Sequence, residues 1–185
     1  MKNAYLTSHF PLISIVIFSL SFSIYSTQVI ISWFEQIGLY DGMVEFFSER
    51  GIHLALLFLL WLFFFMLFSA LKLIADTVNE LSLLFFSKDS EGTDLTNVRG
   101  GAWFFLIGSI ISLLTIFDIR LLVILFLCIC FFYFIYFVYK VSYSLSSIGV
   151  IGMILFHIFF WISFILLVLY AMLKIYNSII ASLPI

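Results

Sequence analysis

Charge is what this chain has least of. Of its 185 residues only 10% are Asp, Glu, Lys or Arg, and the net charge is −2, so no basic surface is available for a nucleic acid. Proline and cysteine occur twice each. Cys128 and Cys130 stand two apart in an apolar run and, on a helix, point about 200° apart. That excludes a shared metal and an easy disulfide, and both are read as facing lipid or core. The sequence also lacks G-x-S-x-G, H-E-x-x-H, a P-loop and C-x-x-C. No cofactor and no catalytic set is therefore expected. What abounds is apolar: 65% of residues are hydrophobic and Phe alone occurs 25 times. With a mean hydropathy of +1.28 the chain needs lipid as its solvent.

The expected fold is an all-α integral membrane protein, one domain over 1–185, built as a bundle of about five transmembrane helices, with four as the alternative. The spans are placed near 12–34, 52–71, 102–117, 121–139 and 150–173. Span one follows Pro11, which suits a first helical turn. It is long for a signal peptide and no A-x-A pattern follows, so it is expected to stay uncleaved. Ser19, Ser23, Ser26 and Thr27 line one side, and Ser14, Ser21, Gln28 and Ser32 the other. Small hydroxyl residues let helices approach closely, so two stripes imply two neighbours and an internal position; a hydrated path is the alternative. Residues 35–50 read as a short interfacial helix with Asp41, Glu45 and Glu49 outward and Met43, Val44, Phe46 and Phe47 facing away.

The second span is the most informative. Residues 54–71 carry no charge and reach roughly 27 Å, close to the thickness of a hydrocarbon core. No turn signal follows, and an amphipathic helical extension is expected over 72–86, past the bilayer. There Lys72, Asp76 and Glu80 recur at i, i+4 and i+8 with Asn79 beside them, on a face about 100° wide. Asp76 and Glu80 are like charges one turn apart, which disfavours the helix unless Lys72 compensates. The favoured reading is a juxtamembrane helix whose polar face meets water or headgroups. The competing one sets the stripe in a polar bundle interior as an ion or proton path.

Residues 87–101 are expected to be a solvated cytoplasmic loop. Asp89, Glu91 and Asp94 do not match a calcium loop, because the glycine and the final glutamate are misplaced. Gly100 and Gly101 read as a flexible lead into Trp103, an interfacial anchor. Residues 102–139 are too long for one span and are split at Asp118, which is expected to cap the second half. Gly108, Ser112 and Thr115 give the first half a packing face. Tyr133, Tyr136, Lys140 and Tyr143 form a belt at the headgroups. His157, the candidate intramembrane polar residue, is read as a hydrogen-bonded packing group, with a proton relay or ligand as the alternative.

Alternating flanks give one side Lys2, Lys72, Lys88, Arg99 and Lys140, and the other Arg50, Arg120 and Lys174. The excess places the amino terminus and residues 87–101 in the cytoplasm of a cell-membrane protein. MKNAYLT at the start, ALKLIADTVNELSLLFFSKD, the following RGG and the closing YNSIIASLP resemble the YufK-like family of small multi-span membrane proteins of bacilli. The resemblance covers nearly the whole chain and implies a bacterial cell membrane, without an activity or catalytic residues to carry over. The residues and the resemblance together point to a non-enzymatic accessory or structural component working through helix–helix contacts. Its partners would be the bilayer and another membrane protein or a second copy. The alternative is a small transporter or channel subunit using Lys72, Asp76 and Glu80; a lipid-modifying enzyme is a distant third.

Overall fold

The computed structural model describes residues 9–89 and 92–182; Lys2, Glu91 and the last residues of the closing motif lie outside them. Seven helices follow in order: α1 Phe10–Gln36, α2 Leu39–Val44, α3 Glu49–Phe86, α4 Thr93–Val98, α5 Ala102–Ser112, α6 Ile119–Val141 and α7 Ser147–Ser182. A 3-10 turn, Arg99–Gly101, joins α4 to α5. Four helices, α1, α3, α6 and α7, are long and apolar enough to cross a membrane. The protein is an all-α membrane protein.

The helix boundaries follow from local chemistry. Pro11 occupies the first turn of α1, where its missing N–H costs nothing. Gly38, at φ 71°, lets the chain turn from α1 into α2, since a side chain there would be strained. Residues 39–44 alone are helical in the acidic connection, and Phe46 and Phe47 are exposed rather than seated on a partner. Ser48 caps α3 by accepting from the Gly51 amide at 3.1 Å. From there α3 runs unbroken for 38 residues, roughly 57 Å, through the whole 72–86 extension. Asp118 accepts from the Arg120 amide at 2.8 Å and caps α6.

α1 is the hub, packed between α3 and α5. Phe18 and Phe22 of α1, Phe68 of α3, and Leu122 and Ile129 of α6 form one buried cluster. A second cluster joins Leu83 of α3, Val98 of α4, Phe137 and Val141 of α6 and Met153 of α7. Ser19, Ser21 and Ser23 are wholly buried, so the close approach expected of span one is real. Their hydroxyls donate to carbonyls three or four residues back in α1. The seam is therefore made of small side chains that satisfy themselves. Only the first half of the Ser14–Ser32 stripe is covered, because α5 ends opposite it at Ser112; Gln28 and Ser32 stay exposed beside an open groove of about 460 Å³.

Segment 102–117 was expected to be helical throughout, and the helix stops after 11 residues. Ser109 and Ser112 donate to the carbonyls of Leu106 and Ser109, and Thr115 to that of Ser112, which loosens the regular ladder. Beyond Ser112 the chain continues in i to i+3 turns as far as Asp118. The segment still runs antiparallel to α6, with Gly101 against Tyr133 and Gly108 against Ile129. α7 runs on past the 150–173 span, continuing through Lys174, Tyr176 and Asn177 as helix.

Candidate functional site

The polar stripe on α3 divides. Lys72 donates to both oxygens of Asp76, one turn along the same helix, and the two side chains are 34% and 45% exposed. Glu80 is exposed and takes no part. Asn79 points elsewhere, to α7, where its Oδ1 lies 3.1 Å from Nε2 of His157. So one bonded ion pair and one inter-helix pair replace a four-residue cluster. A half-exposed pair of this kind contributes about 1 kcal/mol or less. Lys72→Met, Asp76→Asn and the double substitution should accordingly give small, nearly additive changes in melting. A large loss in Lys72→Met that Asp76→Asn repairs would instead put the pair in low-dielectric surroundings.

α7 flanks the extension along its length. The backbone of Gly149 lies against the Phe86 carbonyl and Gly152 against the Phe86 ring; a Cβ at Gly152 would come within 2.6 Å of that ring. One helical turn beyond, Met153 is fully buried, and its carbonyl lies 2.9 Å from Nδ1 of His157. His157 is 3% exposed and ringed by Phe134, Phe137 and Phe156, with centroids 5.1, 5.7 and 5.9 Å away. The packing role read for His157 thus acquires a partner, Asn79, that sits 78 residues away and could not be named from spacing.

The 87–101 connection is the main correction. It is more than a loop: residues 93–98 form α4 and, although most of its described residues are exposed, Asp94 is 7% exposed and Val98 5%. The Asp94 carboxylate accepts from Ser87 Oγ at 2.8 Å and from Ser144 Oγ. The Lys88 amide donates to the Ser144 carbonyl at 3.2 Å, and Ser87 and Leu145 form an isolated antiparallel bridge. One carboxylate therefore ties the end of α3, the start of α4 and the α6–α7 turn together. Asp89 accepts from the Asp94 amide at 2.7 Å and so holds the first turn of α4. Gly100 and Gly101 are not there for flexibility: a Cβ would come within 2.7 Å of Tyr136 Oη and 2.6 Å of Tyr133 Cε2. Tyr136 in turn carries the Lys140 ammonium 5.7 Å above its ring.

Two further polar contacts escaped the sequence. Trp61 Nε1 donates to the Val16 carbonyl at 3.2 Å, pinning α3 to α1. The hydroxyls of Ser21 and Ser112 meet at 2.8 Å between α1 and α5. Among the described residues no three His, Cys, Asp or Glu side chains converge as metal ligands would.

Residues 27–184 match the model of a family of unknown function (DUF5366). The uncharacterized membrane protein YufK of Bacillus subtilis (strain 168) is 45% identical over 185 residues, covering 100% of both chains. No solved structure matches.

Proposed function

From the premise that the chain belongs to the DUF5366 family, a membrane protein family of unknown function, we propose a role in helix–helix assembly within the bacterial cell membrane. In this reading it is not an enzyme. It is an accessory or structural component that crosses the bilayer five times, with its amino terminus and the 87–101 connection in the cytoplasm. It works by pairing its helices with another membrane protein or with a second copy. The observation that carries the proposal is α7: every residue from 165 to 181 is exposed. About half of a 36-residue apolar helix is thus open to lipid or to another chain. The buried serines of α1 also favour it, because they bond back to their own helix instead of lining a path for solutes.

A transporter or channel using Lys72, Asp76 and Glu80 draws less support, since those three do not converge. Crosslinking in native membranes followed by affinity capture tests the proposal. A stoichiometric membrane partner or a self-adduct is expected, and purified protein in proteoliposomes should leave ion fluxes at the level of empty vesicles. Flux well above that level, with no captured partner, would defeat the assembly reading. Reporter tags at residue 93 and at the carboxyl terminus should lie on opposite sides of the membrane, the first in the cytoplasm. A shared side would leave only an even number of crossings.

A further inference from the structure

The contact between α3 and α7 sets a hydrogen-bonding problem. Nδ1 of His157 faces the Met153 carbonyl oxygen at 2.9 Å and Nε2 faces Asn79 Oδ1 at 3.1 Å. Both oxygens can only accept. A neutral imidazole has one N–H and an imidazolium has two. With the amide oxygen toward the ring, the geometry is that of the imidazolium. The neutral ring, with its proton on Nδ1 for Met153, needs a donor at Nε2. Asn79 supplies one by turning its amide about 180°, which exchanges oxygen for NH2 with almost no change of shape.

We propose that Asn79 and His157 form a proton-binding site in the seam between α3 and α7, one that stays fully hydrogen-bonded in both protonation states by turning the Asn79 amide. A carboxylate in place of Asn79 would serve only the charged ring, and an apolar residue would leave Nε2 without a partner in both states. The asparagine amide, with an acceptor oxygen and a donor NH2, serves both. Burial opposes a charge on the ring, and the aromatic surroundings offset part of that cost. Phe134, Phe137 and Phe156 present aromatic rings within 6 Å, and ring faces attract an imidazolium.

The charged and titratable groups nearby come from three helices. On α3, Asp76 and Glu80 lie within a turn of Asn79, and Asp76 is already engaged by Lys72. On α6 there are Tyr133 and Lys140, the latter over Tyr136. On α4, Asp94 is occupied by Ser87 and Ser144. α7 carries no other titratable side chain between Ser147 and Val168. Among the described residues no carboxylate hydrogen-bonds the ring, so Asn79 is the group that answers its protonation. The site does not depend on which partner the protein has.

The test is nitrogen-15 NMR of histidine-labelled full-length protein in detergent micelles, with His157→Phe to assign the signal. Neutral His157 is expected as the Nδ1–H tautomer, the minor form of free histidine. On acidification it should take up a proton while the Asn79 side-chain amide signals move in step and the fold persists. Asn79→Leu should lower the proton affinity of His157 about tenfold, and Asn79→Asp should raise it about tenfold. A neutral Nε2–H tautomer, or Asn79 signals that ignore the titration, would overturn the proposal. So would a folded Asn79→Leu protein that titrates like the wild type. Should Asn79→Leu not fold, the wild-type tautomer and its coupled titration decide alone.

Discussion

Replacing Asp94 with alanine should destabilise the protein by about 2–4 kcal/mol, read as earlier unfolding in detergent and faster proteolysis within residues 87–101. The carboxylate is nearly buried and takes hydrogen bonds from Ser87 and Ser144, which are distant in sequence but whose hydroxyls themselves lie 3.2 Å apart. A hydrogen bond to a charged group is worth about 1.5–3 kcal/mol, and the loss is softened because the two hydroxyls can bond each other and Ser144 Oγ also reaches the Val141 carbonyl at 2.8 Å. Asp94→Asn keeps one oxygen and should lose about half as much. Ser144→Ala removes one donor but keeps the acceptor and should be milder still. Melting and cleavage that match the wild type in Asp94→Ala would mean that the carboxylate is solvated and that the α4 segment is held by its other contacts, Val98 in the core and the Asp89 side chain among them.

That carboxylate marks where the sequence stops being readable. The apolar runs, the cap at Asp118 and the unbroken pattern from residue 52 to 86 are local signals, and local rules recover them. The burial of Asp94 depends on Ser144, 50 residues away, and on a turn whose position is set by the packing of α6 on α7. A run such as Asp89 to Asp94 has the composition of a solvated loop, and nothing in its spacing reveals the partner. Asn79 is a similar case. It shares a helical face with Lys72 and Asp76, so periodicity groups them, yet α7 covers one edge of that face only. The glycines at 100 and 101 were misjudged because the need for close approach comes from Tyr133 and Tyr136, whose rings reach across from α6. α5 stops short of the 102–117 segment for a physical reason. Hydropathy registers where lipid is tolerated, whereas the end of α5 is set by hydroxyl groups competing for backbone carbonyls.

The hydroxyl seam of α1 yields the second large effect. Ser21→Leu should lower stability by about 2–4 kcal/mol, because Ser21 is 0% exposed and its hydroxyl meets that of Ser112 at 2.8 Å. Leucine adds three carbons where helix α5 already touches, and overpacking of this kind costs typically 1–3 kcal/mol. The lost inter-helix hydrogen bond adds roughly 0.6 kcal/mol in a membrane setting. Ser19, equally buried, should respond in the same way. Ser32→Leu is the control: it lies on the same helix, beyond the end of α5, where its side chain is exposed, and leucine there should change melting hardly at all. The direction can also be reversed. Ser112→Gly removes the group facing Ser21 and should restore part of the stability lost in Ser21→Leu while costing little more than its own hydrogen bond. If Ser21→Leu and Ser32→Leu melted alike, α1 would not be the buried hub, and the placement of α5 against it would have to be abandoned. If they differ as expected but Ser112→Gly gives no rescue, the strain falls on α3 instead, whose Trp61 indole is fixed to the Val16 carbonyl just over one turn before Ser21.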